Sequence, residues 1–201
     1  MPTHRTAFAL AASLTAALTA LAAPAGAQSS TPAPAPAAGA PAAPTPPPAR
    51  PADVASVDAI IIALYDVISG PKGAKRDWDR MRSLFHPGAR LIPTGKRPDG
   101  SASARVLDVE GYIERSGPFL EGEGFFEREI GRRTERFGNV VHVFSSYDSR
   151  HAASDAEPFA RGINSIQLYH DGARWWVMTI MWDSERPGNA IPAKYLTRDG
   201  D

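Results

Sequence analysis

The chain has 201 residues, 22 of them basic and 22 acidic, and no cysteine. Zero formal charge excludes a general electrostatic draw toward nucleic acid or an anionic membrane. The missing thiols exclude disulfide staples, a lipid-modified cysteine and thiolate metal centres, so stability must come from a packed core.

The N-terminus reads as a targeting segment. His4 and Arg5 precede an apolar run from Ala7 to about Ala23, which closes on Ala25-Gly26-Ala27 ahead of Gln28, the small-x-small pattern of signal peptidase sites. The run is Ala-rich and a little short of the ~20 residues that span a bilayer. Residues 1–27 are therefore expected to be a cleaved signal peptide. The product would be secreted or periplasmic in a bacterium, with no membrane attachment after cleavage. Residues 28–52 are Pro/Ala-rich low complexity, expected to form a semi-rigid, polyproline-II-like linker with no core. A single folded domain is expected over 53–201, long enough to bury most of its apolar surface.

After Asp53, a good N-cap, apolar residues recur at Val57, Ile60, Ile61, Leu64 and Ile68, which is one helix face, stopped by Gly70-Pro71. A second short helix follows the cap Asp77, with Trp78, Met81, Leu84 and Phe85 on one side, and ends at His86-Pro87-Gly88. Ala89–Thr94 predicts a short strand, Arg105–Leu107 another, and Asp108 caps a third helix weakened by Gly117-Pro118. From Gly124 the period changes toward two. Four strand patterns follow, the last two joined by Asp171-Gly172. Helices first and strands after predict an α+β domain with the helices on one face of an antiparallel sheet.

Asp171-Gly172 is a two-residue turn signal that pairs His170 with Ala173, and so Gln167 with Trp176, Ser165 with Met178, Ile163 with Ile180 and Arg161 with Trp182. The opposite face would carry Asn164, Ile166 and Leu168 against Thr179, Val177 and Trp175, with Met181 beyond. Both faces are largely apolar, so one must meet the helices and the other needs a second cover.

Three amphipathic helices, a long sheet and a closing hairpin of the form "GINSIQL…DG.RWW…W", preceded by "FGNVVHVFSSYDSR", resemble the NTF2-like (SnoaL-like) superfamily, in particular its secreted bacterial members of unassigned function. The resemblance runs from about Val54 to Glu185. It implies a cone-shaped α+β barrel, a pocket between helices and sheet, and a homodimer through the outer sheet face, here Trp175, Val177, Thr179 and Met181 with Ile166 and Leu168. Matching Trp176 to the Trp that commonly opens the last strand places Met178, Ile180 and Trp182 in the pocket, with Arg161, Ser165 and Gln167 across from them. Strand 139–150 would add either Val141, Val143, Ser145 and Tyr147, or His142, Phe144, Ser146 and Asp148. The first set better suits the floor of a narrow cone.

A lining of Trp, Met and Ile with few polar groups suits a small, mostly apolar molecule. Enzymatic relatives carry an acid or base in this pocket, and the usual polar position near the end of the final strand is Trp182 here. The expectation is a binding module, with a small lyase or isomerase using acid–base chemistry as the alternative, and no catalytic residue is identifiable. Arg161 could pair an anionic ligand or form an ion pair with Asp183 or Glu185. The five histidines include no helical pair at ligand spacing, so neither a metal nor a cofactor is expected. Glu127–Arg136 alternates in charge and is expected to make cross-strand ion pairs on a wet edge.

Overall fold

The computed structural model describes residues 45–198. The expected signal peptide and most of the expected linker lie outside these residues. The last part of that linker belongs to the folded unit. Ala49 packs against the core, Arg50 pairs with Asp77 at 2.8 Å, and Pro51, whose fixed φ suits a helix start, opens α1 (Pro51–Val54).

Helix α2 (Val57–Ile68) is capped by Ser56, whose hydroxyl accepts from Ala59 N at 3.0 Å, and not by Asp53. Asp53 instead takes a bidentate pair from Arg80 at 2.7 and 2.9 Å, and the same guanidinium reaches Asp66. One arginine thus ties α1 and α2 to α3 (Trp78–Leu84), which is capped by Asp77 as expected. Phe85, expected on that helix, opens the strand β1 (Phe85–Lys96), which pairs with β2 (Ala102–Ala104). Helix α4 (Val109–Glu123) starts at its Asp108 cap and continues through Pro118. The strands β3 (Phe126–Phe137), β4 (Val140–Arg150), β5 (Ala160–His170) and β6 (Trp175–Ser184) follow.

The sheet order is β2-β1-β6-β5-β4-β3. The sheet is mixed and open: β1 runs parallel to β6, where an antiparallel sheet was expected, and the remaining pairs are antiparallel. The helices lie on one face, and the core forms there from Ile60, Ile61, Met81, Leu84, Phe85, Val141, Val143, Ile166, Leu168 and Val177, each 2 % exposed or less.

The closing hairpin departs from its expected register. Asp171 Oδ1 accepts the amides of Ala173 and Arg174 at 2.8 and 2.9 Å, building a longer turn in which His170 faces Trp175. This carboxylate bridge, invisible in a two-residue reading, moves the partners nearest the turn by two positions and leaves their faces unchanged. A bulge then intervenes: Leu168 faces Val177, but Gln167 faces Thr179, so Met178 is the extra residue. Beyond the bulge β6 changes face. Trp175 and Val177 point inward before it, and Ile180 and Trp182 point inward after it.

The expected dimer patch is thereby corrected. Trp175, Val177, Ile166 and Leu168 are at most 4 % exposed inside the domain, and of the six residues only Met181 is largely exposed. Part of the outer face is covered by the chain's own C-terminal segment. Tyr195 lies edge-on to Phe144 with centroids 4.9 Å apart, and Arg132 N donates to Thr197 O at 3.0 Å.

Candidate functional site

Between α2, α3, α4 and the inner sheet face lies a cavity of about 250 Å³. Its walls are mainly apolar, from Leu64, Met81, Phe85, Leu91, Ile166 and Ile180, with the rings of Trp182, Phe119 and Phe125. Six further side chains bring polar atoms to it: Tyr65, Tyr112, Ser116, Glu127, Tyr147 and Asn164. Helix periodicity puts Tyr65 on the same face as Ile61 and Ile68. Strand alternation puts Tyr147 in line with Val141, Val143 and Ser145, the set preferred from the sequence.

Glycine decides how deeply Tyr147 can lie. Gly162 is its cross-strand partner, and a Cβ there would stand 2.5 Å from the Tyr147 hydroxyl and 2.5 Å from Asp183 O. The ring occupies the space a side chain would fill. Burial raises the Tyr147 phenol to about 12, and its hydroxyl lies 3.4 Å from Ser184 Oγ. Tyr65 and Tyr112 are likewise pushed up by burial, so all three phenols stay protonated near neutrality.

A hydrogen-bond chain runs behind the wall. Ser145 Oγ donates to Glu129 Oε1 at 2.5 Å, which uses its only proton, so in the 2.7 Å contact with Tyr65 the phenol must donate. Tyr65 Oη in turn accepts from Asn164 Nδ2 at 3.2 Å. The chain ends on a neutralised carboxylate, since Glu129 is held by Arg132 at 2.8 Å and Arg198 at 3.2 Å.

Glu127, two residues earlier on β3, has a different setting. It accepts from Ser149 Oγ at 2.9 Å and more weakly from Asn164 Nδ2 at 3.4 Å, and among the described residues no basic side chain forms an ion pair with it. Desolvation dominates, with Asp148 adding repulsion, and the carboxyl is raised from 4.5 to about 7 despite the two hydrogen bonds. One inward glutamate is thus compensated, and its neighbour stands uncompensated at the cavity wall. That contrast defines the site.

Of the residues expected in the pocket, Tyr147, Ile180 and Trp182 line the cavity; the rest of that set is corrected. Arg161, Ser165 and Gln167 alternate out of phase with the buried Asn164, Ile166 and Leu168 and stand on the outer face. Trp176 is also outside, donating from Nε1 to Asp171 Oδ2 at 2.6 Å under the Arg174 guanidinium, and Met178 is the bulge residue. The reason is hydropathy: Ile166 and Leu168 offer more apolar surface to bury than Ser165 and Gln167, and this outweighs the match made at Trp176. Arg161 forms the structural ion pair, 3.1 Å from Glu185.

The other polar candidates are also outside. His142 Nε2 contacts Ser165 Oγ at 3.0 Å on the outer face, and Asp148 is held by Arg128 at 3.0 Å and by Arg150. The Arg128–Asp148 bond joins directly opposed residues, as the alternating charges of that strand predict. His86 accepts the amide of Gly88 at 3.2 Å, a turn role. The sequence reading missed Tyr65, Tyr112, Glu127 and Asn164. Tyr65 had a usable signal in the helix period, and Asn164 follows once Ile166 and Leu168 are turned inward. Nothing in "FEREIG" separates the unpaired Glu127 from the paired Glu129.

No protein-family model matches the chain, and no curated protein matches it. Among solved structures it is similar to LinA, at TM-score 0.49 and 10% identity over 66% of this chain and 85% of that one. It is also similar to a protein of unknown function with a cystatin-like fold from Nostoc punctiforme, at TM-score 0.49 and 8% identity over 64% and 88%. A third is an NTF2-like superfamily protein from Salmonella enterica, at TM-score 0.46 and 12% identity over 63% and 86%. In fold, this chain is similar to NTF2-like proteins.

Proposed function

We propose that the domain binds a small, mostly apolar molecule in the cavity, with the molecule's polar group seated against Glu127. The observation that carries this reading is a carboxyl with no ion-pair partner among the described residues, on the wall of a mainly apolar and aromatic chamber. Leaving that group half-desolvated costs stability, and a ligand hydroxyl, amide or carbonyl facing it would recover the lost hydrogen bonds. The phenols of Tyr112 and Tyr147 bring further polar groups to the same space. Native mass spectrometry of the protein purified from its own host tests the reading. A retained small molecule that is lost on Trp182→Ala is the expected result, and an empty wild type that also fails to take up small hydroxylated aromatics would overturn it.

A second reading rests on the same carboxyl. A carboxyl raised to about 7 in a mainly apolar pocket is suited to take and return a proton, so a small lyase or isomerase using Glu127 as general base is the alternative. Under it, Glu127→Gln would abolish turnover while keeping ligand affinity. We place this activity outside the cytoplasm, on the signal-like pattern of residues 1–27. Self-association through the outer sheet face would now centre on Met181 and Ile163, and sedimentation velocity of the wild type and Met181→Lys tests it.

A further inference from the structure

Among the residues lining the cavity, Phe119 is the only one that is largely exposed, at 46 %, so the chamber opens to solvent beside it. From that opening a row of aromatic rings leads outward. Phe119 lies edge-on to Phe125 with centroids 6.3 Å apart, and Phe125 lies edge-on to Phe159 at 6.0 Å. His151 then stacks on Phe159 at 4.2 Å and 16°. Three separate segments supply these rings: α4, the start of β3, and the connection between β4 and β5. Phe125 is only 9 % exposed and fixed, its N–H and C=O both bonded to Gly70, whereas Phe159 is 46 % exposed. The row therefore presents an anchored centre with two ring faces free to solvent.

Size argues that something should cover it. Ligand pockets for drug-sized molecules run from roughly 300 to 1,000 Å³. A chamber of about 250 Å³ falls below that range, so a drug-sized molecule would extend beyond it, and Phe119 is its most exposed lining residue. We propose that Phe119, Phe125 and Phe159, closed by His151, form an outer subsite for the apolar tail of an elongated ligand whose polar head occupies the inner chamber. The ligand class is a chain-like or multi-ring molecule with one polar end. This rests on the binding reading above and adds length and polarity to it.

The test uses the full protein and a series of 4-alkylphenols, from phenol to 4-heptylphenol, with binding followed by isothermal titration calorimetry. Each additional methylene strengthens binding about fourfold while it is being buried. In the wild type the gain should continue to the longest chains. In the variant Phe159→Ser, which alters a half-exposed ring outside the chamber wall and spares Phe119 and Phe125, phenol should bind as before. Affinity there should stop rising once the chain leaves the chamber, leaving 4-heptylphenol at least tenfold weaker than with the wild type. Parallel gains in both proteins, or a wild-type plateau at the same chain length, would overturn the outer subsite while leaving the inner one standing. Phenol failing to bind the wild type at all would overturn the inner-chamber reading and the subsite with it.

Discussion

Glu127 gives the sharpest test of the site, because its environment makes stability depend on pH in an unusual direction. Burial raises its carboxyl from 4.5 to about 7, so the folded protein holds this proton more tightly than the unfolded chain does. Between those two pH values unfolding releases a proton, and stability falls as pH rises; above about 7 the penalty is fully developed and constant. At ~1.4 kcal/mol for each tenfold change in proton affinity, the ceiling is about 3 kcal/mol. Glu127→Gln removes the titration while keeping the shape and an oxygen for the Ser149 hydroxyl. Urea unfolding of both proteins from pH 4 to pH 8 isolates the effect, since the other titrations cancel in the difference. The two should be nearly equal at pH 4, and the glutamine variant should gain an advantage that grows between about 4.5 and 7 and reaches up to about 3 kcal/mol by pH 8. A difference independent of pH would refute the claim that Glu127 is desolvated and uncompensated.

Three further outcomes follow from the packing. Trp182→Ala should enlarge the cavity and cost about 3 kcal/mol in chemical denaturation, the low end for an aromatic truncation because Trp182 is only half-buried. Arg76 donates to the carbonyls of Ile68, Gly70, Ala74 and Leu120 and so closes the ends of α2 and α4; Arg76→Ala should cost at least about 3 kcal/mol by leaving those acceptors unpaired, whereas Lys75→Ala, at an ammonium 88% exposed, should stay within about 0.5 kcal/mol. A Cβ at Gly131 would stand 2.2 Å from Tyr195 O, so Gly131→Ala should lift the C-terminal segment, seen as new protease cleavage after residue 189 with the main unfolding transition retained.

What the sequence determined by itself is local. The Asp77 and Asp108 caps, the apolar face of α2 and the period-two pattern of the strands each depend on neighbours within a few residues, and each appears where expected. The order of helices before strands was sufficient for the α+β class. Alternation put Tyr147 on one face with Val141 and Val143, and the structure turned that face inward. What only the tertiary structure decided is longer-range. The parallel pairing of β1 with β6 joins residues far apart in the chain and leaves no mark in either strand's own pattern. The bulge at Met178 reverses every later side chain of β6, so Ile180 and Trp182 reach the cavity by a backbone irregularity that periodicity cannot register. The contrast between Glu127 and Glu129 is of the same kind. Two identical residues on one strand differ because Arg132 and Arg198 reach one and not the other, and distance in space alone sets which carboxyl is left to face the cavity.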